Sequence, residues 1–155
     1  MMLEGQAAPT FRLPDQDGKM HGIGDYAESW LVLYFYPKDM TPGCTQEACD
    51  FRDNFARIQS AGAVVVGVSA DPVKRHKKFA QKEGIPFTLL ADEDHAVCNA
   101  YDVWHEKKFM GRTFMGIVRS TFIIDPKGLV QKVYSPVSVP GHVDEVITDL
   151  DRLRT

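Results

Sequence analysis

The pattern of apolar and polar positions predicts strands and helices that alternate along most of the chain. Two short runs near the N-terminus, Phe11–Leu13 and Met20–Ile23, flank the polar turn sequence Asp15–Gly18 and predict a β-hairpin. Trp30–Tyr36 and Ala63–Ser69 are almost entirely apolar and rich in β-branched or aromatic residues. Such continuous runs are typical of strands that are buried on both faces of a sheet.

Helical periodicity and end signals place helices between these strands. One helix is expected from Pro42 to Ser60, and another opens at Asp71–Pro72 and ends at Gly84. Apolar residues recur every three or four positions in His142–Leu153, which predicts an amphipathic helix. The remaining predicted elements are a strand at Phe87–Leu90, a short helix at Asp94–Tyr101, a long irregular loop at Asp102–Val118, and a hairpin of Ser120–Ile124 and Leu129–Tyr134.

The order of these elements predicts the fold class. A hairpin, then β-α-β-α-β-α, then β-β-α indicates an α/β fold with a central mixed β-sheet flanked by helices, and a thioredoxin-type sandwich satisfies this order. No repeat, low-complexity segment or linker interrupts it, so residues 1–155 are predicted to form one domain. Active sites in such sheets lie beyond the carboxyl ends of strands, where the loop 37–44 follows Trp30–Tyr36.

Composition and charge narrow the function classes. Hydrophobic residues make up 44% and charged residues 25%, as in ordinary globular proteins, and the net charge of −3 gives no sign of a nucleic-acid or anionic-membrane partner. No apolar run approaches the ~20 residues that a membrane span needs. The segment Met1–Gln6 lacks the basic and apolar regions of a signal peptide. Three cysteines fit poorly with a secreted disulfide framework, so we expect a cytoplasmic protein with reduced thiols.

The segment 37–49, PKDMTPGCTQEAC, carries the candidate chemistry. Thr41 is a residue type favoured at helix N-caps and Pro42 suits the first helical position, so Cys44 falls in the first helical turn. Unpaired amide N–H groups and the helix dipole favour negative charge there, which stabilises a reactive thiolate. Helical spacing places Cys44 on the apolar face and Cys49 on a more polar face.

Cys44 and Cys49 are too far apart to form a disulfide within an intact helix. A five-residue step rotates by ~500° and rises ~7.5 Å, which leaves the two Cα atoms roughly 8–9 Å apart. A disulfide needs a Cα separation below about 7 Å. We therefore predict that any reaction between these two cysteines requires the first turn or two of the helix to unwind.

The same residues resemble the signature of the peroxiredoxins, which are thiol-dependent peroxidases on the thioredoxin fold. Pro37, Thr41 and Cys44 match the pattern Pro-x-x-x-Thr-x-x-Cys. With Cys49 five residues further on, the segment is similar to the peroxiredoxin Q subfamily, also called bacterioferritin comigratory protein. The resemblance covers nearly the whole chain, including Gly5-x-x-Ala8-Pro9-x-Phe11 and the sequence RSTFIID from Arg119 to Asp125.

This resemblance implies a role for each matched residue. Cys44 would be the peroxidatic cysteine, which attacks a peroxide as a thiolate and becomes a sulfenic acid. The Thr41 hydroxyl would bind the thiolate and the peroxide, Arg119 would hold the thiolate charge and polarise the O–O bond, and Pro37 would shield the pocket. Cys49 would resolve the sulfenic acid as an intramolecular disulfide. The implied substrates are hydrogen peroxide and organic hydroperoxides, and the implied reductant is thioredoxin or a similar dithiol protein, with no cofactor and no metal.

Several alternatives stay open at this point. Cys98 is a second candidate for the resolving cysteine, because some peroxiredoxins of this subfamily place it in another helix, although a packing role is favoured. No cysteine follows Cys98, so a C-terminal cysteine of a neighbouring subunit is not expected to resolve the sulfenic acid. We therefore expect a monomer.

The main rival function is a thiol–disulfide oxidoreductase acting on proteins, which normally has two residues between its cysteines. A metal-binding protein is a further rival, but the five histidines lack ligand spacing. The loop 102–118 could line the peroxide pocket, dock the reductant or contact a second copy.

Overall fold

The computed structural model describes residues 3–155; Met1 and Met2, the start of the segment expected not to be a signal peptide, lie outside them. The strands are β1 (Arg12–Pro14), β2 (Met20–Gly22), β3 (Trp30–Phe35), β4 (Ala63–Ser69), β5 (Thr88–Ala91), β6 (Trp104–Phe109), β7 (Arg112–Ile117), β8 (Ser120–Ile124) and β9 (Val130–Tyr134). The α-helices are α1 (Pro42–Asp53), α2 (Phe55–Ser60), α3 (Val73–Glu83), α4 (Ala96–Ala100) and α5 (His142–Leu153), and a short 3-10 helix spans Ile23–Tyr26. Within this described part, no helix combines the length and the apolar character that crossing a bilayer requires.

Five strands form the central sheet, in the order β5-β4-β3-β8-β9. Strands β3, β4 and β5 run parallel, whereas β8 pairs antiparallel with both β3 and β9. The sheet is therefore mixed, and β1 and β2 form a separate antiparallel hairpin, as predicted. Because β3 is the middle strand, its carboxyl end opens onto the centre of one edge of the sheet.

The two faces of the sheet belong to two hydrophobic clusters. Successive side chains of a strand point to opposite faces, so Val32 and Tyr34 join one cluster while Leu31 and Leu33 join the other. Buried residues of α1, α2, α3 and α5 fill the first cluster, and the N-terminal segment with β1 and α4 covers the second. Both faces of the sheet are therefore covered, which explains the continuous apolar runs in β3 and β4.

The predicted single helix from Pro42 to Ser60 is wrong, because the structure interrupts it at Asn54. The backbone of Asn54 leaves the helical path, with φ −110° and ψ 11°. Its side-chain Nδ2 donates to the carbonyl oxygen of Asp50 at 2.8 Å. Asparagine side chains compete in this way with the hydrogen bonds of the helix itself, so α1 ends at Asp53 and α2 begins anew.

The predicted irregular loop at Asp102–Val118 is also wrong, because this segment forms the hairpin β6–β7. The two strands pair antiparallel over six residues each. Met110 and Gly111 form the turn, both with positive φ, 51° and 77°. A two-residue turn of this kind usually carries Asn-Gly or Asp-Gly, and a methionine at positive φ is uncommon. The usual hairpin signal was therefore missing from the sequence.

Candidate active site

Cys44 lies in the first turn of α1, directly beyond the carboxyl end of β3. Thr41 occupies the N-cap position with extended backbone, and Pro42 is the first helical residue. The Cys44 side chain is only 1% exposed and belongs to the same hydrophobic cluster as Ala48. The predicted position on the core side of the helix is thus confirmed. Its sulfur lies at the positive end of the helix dipole, where amide N–H groups lack helical acceptors.

Arg119 reaches Cys44 from the short segment between β7 and β8. Its Nη2 donates to the Cys44 sulfur at 3.4 Å, and its Nη1 donates to Oε1 of Glu47 at 2.8 Å. Burial alone would lower the pKa of Arg119, but the neighbouring Cys44 and Glu47 raise it overall. The guanidinium therefore stays charged, and two hydrogen bonds hold it on the sulfur in a fixed orientation.

Glu47 is the residue of the site that the sequence analysis missed. It lies one turn after Cys44 on the buried face of α1, and its side chain is fully buried. Burial raises the pKa of Glu47 to about 7, although the charge of Arg119 opposes the rise. Its second oxygen, Oε2, has no hydrogen-bond partner among residues 3–155. A signal was present, because Glu47 stands four positions before Phe51, where helical spacing calls for an apolar residue.

Gly43 leaves the space that the guanidinium of Arg119 occupies. A Cβ atom added to Gly43 would lie 3.1 Å from Nη2 of Arg119. This contact is tighter than nine in ten real Cβ contacts, so a side chain at position 43 would force the guanidinium to shift by a few tenths of an ångström. The residue before the cysteine is thus small because of a close approach, and its backbone needs no unusual conformation.

Thr41 and Pro37 lie in the loop that leads from β3 to Cys44. The Thr41 hydroxyl donates to the carbonyl oxygen of Lys38 at 2.8 Å, so Thr41 holds the N-cap position without a side-chain cap. Its oxygen keeps lone pairs that can accept a further hydrogen bond. Pro37 is half-buried and follows the last buried residue of the β3 run. In the described structure no hydrogen bond joins Thr41 to the Cys44 thiol. Of the two residues predicted to bind the thiolate, Arg119 is the one that donates a hydrogen bond to the sulfur.

Cys49 lies on the side of α1 that faces the C-terminal end of α3. It is half-buried, and its Sγ donates to Oε1 of Glu83 at 3.7 Å. Burial raises the pKa of the Cys49 thiol, and the Glu83 carboxylate adds to the rise. On the same side, Nη1 of Arg52 donates to the Glu83 carbonyl oxygen at 2.5 Å. Both Cys44 and Cys49 are free thiols, and the helix between them is uninterrupted. This is the intact helix in which we predict that the two cysteines cannot form a disulfide.

Three of the five histidines, considered above as possible metal ligands, form contacts with other side chains of the protein. His21 and His76 each bond with an aspartate, at 2.7 and 2.6 Å, and His142 bonds with a threonine hydroxyl at 2.8 Å. Over residues 3–155, no group of three or more His, Cys, Asp or Glu side chains is arranged to hold a metal ion.

Known proteins match the chain along nearly its full length. The model of the AhpC/TSA family matches residues 4–133. A putative peroxiredoxin bcp of Coxiella burnetii is 49% identical over 143 residues, which cover 92% of this chain and 95% of that protein. This chain belongs to the AhpC/TSA family, as a peroxiredoxin of the Bcp (peroxiredoxin Q) type.

Further relatives agree with this placement among the peroxiredoxins. Peroxiredoxin Bcp of Bacillus subtilis is 47% identical over 146 residues, 94% of this chain and 93% of that protein. A solved structure of the Xanthomonas campestris bacterioferritin comigratory protein, described for its alkyl peroxide reduction activity, has a TM-score of 0.89 at 41% identity. It covers 94% of this chain and 92% of the other. The thioredoxin-like fold and the thiol-dependent peroxidase that the resemblance implied are therefore confirmed.

The third cysteine of this peroxiredoxin, Cys98, lies on the other face of the sheet. It packs in the cluster that contains Leu33, whereas Cys44 packs in the cluster that contains Tyr34. Burial raises the pKa of the Cys98 thiol, and the neighbouring carboxylate of Asp92 raises it further. The Cys98 backbone N–H also donates to Asp92 at 2.7 Å. These contacts disfavour a thiolate, and the Cys98 side chain is packed in the core.

The β6–β7 hairpin of the peroxiredoxin begins beside the active site and ends in solvent. Near its base, Nζ of Lys107 donates to the carbonyl oxygen of Ile117 at 2.9 Å. Burial lowers the pKa of Lys107 and Arg119 lowers it further, whereas Cys44 opposes the shift, so these charges lie near one another. At the tip, Phe109 and Met110 are 67% and 87% exposed. The hairpin thus carries a half-buried cation at the site and apolar side chains at its exposed end.

Proposed function

We propose that Cys44 is the peroxidatic cysteine of this enzyme. The observation that carries the proposal is the 3.4 Å hydrogen bond from Arg119 to the Cys44 sulfur in the first turn of α1. The thiolate attacks one peroxide oxygen, so that an S–O bond forms and the O–O bond breaks. The second oxygen leaves and is protonated to water or an alcohol, and Cys44 becomes a sulfenic acid. Negative charge spreads over the sulfur and both oxygens in the transition state, where the guanidinium and the first-turn N–H groups stabilise it.

Thr41 and Pro37 complete the proposed peroxide pocket. Because the Thr41 hydroxyl donates its proton to the Lys38 carbonyl, its oxygen is oriented to accept the O–H of a peroxide. A bond from Thr41 to the thiolate itself requires this hydroxyl to rotate away from Lys38. Pro37, half-buried at the start of the loop, shields the pocket from water and limits the mobility of the loop.

Cys49 is the proposed resolving cysteine. Its thiolate attacks the sulfenic sulfur of Cys44, so that an S–S bond forms, the S–O bond breaks and the oxygen leaves as water. The distance in an ideal helix requires α1 to unwind first. Unwinding separates Cys49 from Glu83, whose carboxylate helps to raise the pKa of the thiol in the folded helix. The same movement would therefore bring Cys49 to its target and favour its thiolate.

The substrates, the reductant, the oligomeric state and the location are proposed with this cycle. We propose hydrogen peroxide and organic hydroperoxides as substrates, in line with the alkyl peroxide reduction described for the Xanthomonas campestris relative. Thioredoxin or a similar dithiol protein is the proposed reductant. Two thiols in one helix complete the cycle within one chain, which supports a monomer acting in the cytoplasm, where thiols stay reduced. The central sheet takes strands from Trp30 to Tyr134, which supports a single domain over residues 1–155.

Rapid mixing of the reduced protein with hydrogen peroxide tests the peroxidatic role. We expect thiol loss within seconds in the wild type, no such reaction in Cys44→Ser, and an unchanged reaction in Cys98→Ser. Cys98 is the matched control because its side chain is equally buried but lies on the opposite face of the sheet. Slow thiol loss in the wild type, together with fast exchange with protein disulfides, would favour the rival thiol–disulfide oxidoreductase.

Hydrogen exchange tests the unwinding step. Amide protection over residues 42–52 should be lower in the oxidised protein than in the reduced protein, because the disulfide cannot form in an intact α1. The helix α5 is the internal control, and its protection should not change. Equal protection of residues 42–52 in both forms, with the disulfide confirmed by mass spectrometry, would contradict the proposal.

A further inference from the structure

A buried network centred on Asp39 ties the loop before α1 to helix α3. Asp39 and His76 are both fully buried. One carboxylate oxygen of Asp39 accepts the hydroxyl of Tyr36 at 2.6 Å, and the other lies 2.6 Å from Nδ1 of His76. The backbone is held as well, because the Asp39 N–H donates to Asp71 at 2.7 Å and its carbonyl accepts Nη2 of Arg75 at 2.9 Å. Four separate contacts thus fix one loop residue.

The Asp39 carboxylate and the His76 ring form a buried hydrogen-bonded pair. The other ring nitrogen of His76, Nε2, lies 2.8 Å from the carbonyl oxygen of Leu90, so both nitrogens of the ring have partners. Removing one member of such a buried pair is costly, because the other is left without its partner. The peroxide chemistry described above uses none of these groups, so the network needs another explanation.

The position of Asp39 in the loop connects this network to the active site. Only Met40 separates it from Thr41, which is the N-cap of the helix that carries Cys44. Met40 has a φ of 64°, in the left-handed region that a residue with a side chain adopts only when its surroundings impose it. Because Asp39 is fixed on one side and α1 on the other, Met40 is held in this conformation and Thr41 is held in its place.

We propose that Asp39, held by His76, is a positioning residue for the peroxide step. It keeps the loop in the conformation that holds Thr41 at the N-cap of α1, at the start of the helix that carries Cys44. The inference rests on the proposed peroxidatic role of Cys44. It predicts that loosening Asp39 slows the reaction with peroxide, which needs Thr41 in place, far more than it slows alkylation, which reaches the same sulfur but needs no hydrogen bond with the Thr41 hydroxyl.

The variants Asp39→Asn and His76→Gln test this proposal against the control His21→Gln. His21 pairs with Asp15 at 2.7 Å on the N-terminal hairpin, so the control removes a similar Asp–His contact that does not hold the loop. Two rates are measured for each protein: the reaction with hydrogen peroxide by rapid mixing, and the alkylation of Cys44 by iodoacetamide, followed by mass spectrometry of its peptide. We expect a loss on the order of 10²-fold in the peroxide rate constant, the size typical of a misplaced group. Alkylation should change far less than the peroxide rate constant, and the control should match the wild type in both rates.

Two results would overturn the proposal. If the peroxide rate constants of both variants equal that of the wild type, Asp39 is only structural. If peroxide reaction and alkylation fall by the same factor, the variants disturb the whole site rather than the placement of Thr41. Should Asp39→Asn fail to fold, His76→Gln decides the question by itself, since it leaves the backbone contacts of Asp39 in place. A wild-type protein that does not react with peroxide would instead contradict the proposed function.

Discussion

Replacing Glu47 with glutamine should remove a pH-dependent loss of stability that this buried carboxyl imposes on the fold. Glu47 is fully buried beside Cys44, and Nη1 of Arg119 donates to its Oε1 at 2.8 Å. Glutamine has nearly the same shape, and its carbonyl oxygen can accept the same hydrogen bond. The substitution therefore changes the ionisation of position 47 while keeping the contact that orients Arg119.

The magnitude follows from the pKa of Glu47. Burial disfavours the charged form more than Arg119 stabilises it, so the pKa rises from 4.5 to about 7 in the folded protein. Between these values folded Glu47 binds more protons than unfolded Glu47, so its contribution to stability is most favourable at low pH and becomes less favourable as the pH rises. Above the folded-state pKa of Glu47, the loss in the free energy of unfolding approaches about 3 kcal/mol. About 2.5 kcal/mol of this loss occurs between about pH 5 and about pH 8. Glutamine has no such dependence.

Urea unfolding of the reduced protein, followed by tryptophan fluorescence at about pH 5 and about pH 8, measures this effect. The free energy of unfolding of Glu47→Gln minus that of the wild type should be about 2.5 kcal/mol larger at the higher pH than at the lower pH. The comparison between two pH values cancels any constant cost of the glutamine amide, whose NH₂ takes the place of the unpartnered Oε2.

The control variant is Glu93→Gln, which changes an exposed glutamate and should show no such shift. A difference between Glu47→Gln and the wild type that stays constant within about 0.5 kcal/mol between the two pH values would refute the reasoning. Glu47 would then be ionised throughout this range, and the ion pair with Arg119 would outweigh its burial.

Three further predictions concern the residues around the sulfur. Gly43→Ala should lower the peroxide rate constant, measured by stopped-flow kinetics, by about tenfold. The alanine Cβ would stand 3.1 Å from Nη2 of Arg119 and would displace this guanidinium from its position at Cys44. Cys49→Ser should consume one equivalent of peroxide per chain and then stop, with Cys44 trapped as a sulfenic acid that mass spectrometry detects; continued turnover with thioredoxin would exclude Cys49 as the resolving cysteine. Cys98→Ala should keep full turnover but lower the free energy of unfolding by about 1 kcal/mol, because it leaves a small cavity in the core; lost turnover would give Cys98 a role in the cycle.

The chemistry of α1 could be predicted because its signals are local. Thr41 and Pro42 set the start of the helix, and the spacing of apolar residues turned Cys44 toward the core, where the structure places it. The break at Asn54 escaped prediction, since asparagine is tolerated inside helices and only its bond to the Asp50 carbonyl shows that the helix ends there. The β6–β7 hairpin escaped for a similar reason, because Met110–Gly111 is not the residue pair that normally indicates such a turn.

Apart from the β6–β7 hairpin and the break between α1 and α2, the sequence by itself determined the order of strands and helices, the faces they bury and the first-turn position of Cys44, because caps and periodicity act over a few residues. The resemblance assigned Arg119 to the Cys44 thiolate, but only the tertiary structure shows how the two meet and that Glu47 joins them. Arg119 is 75 positions from Cys44 and reaches it because β8 pairs with β3, and His76 is 37 positions from Asp39 and reaches it because α3 packs beside the loop. Such contacts depend on which strands and helices become neighbours, and burial then sets the ionisation of Glu47, which local spacing does not encode.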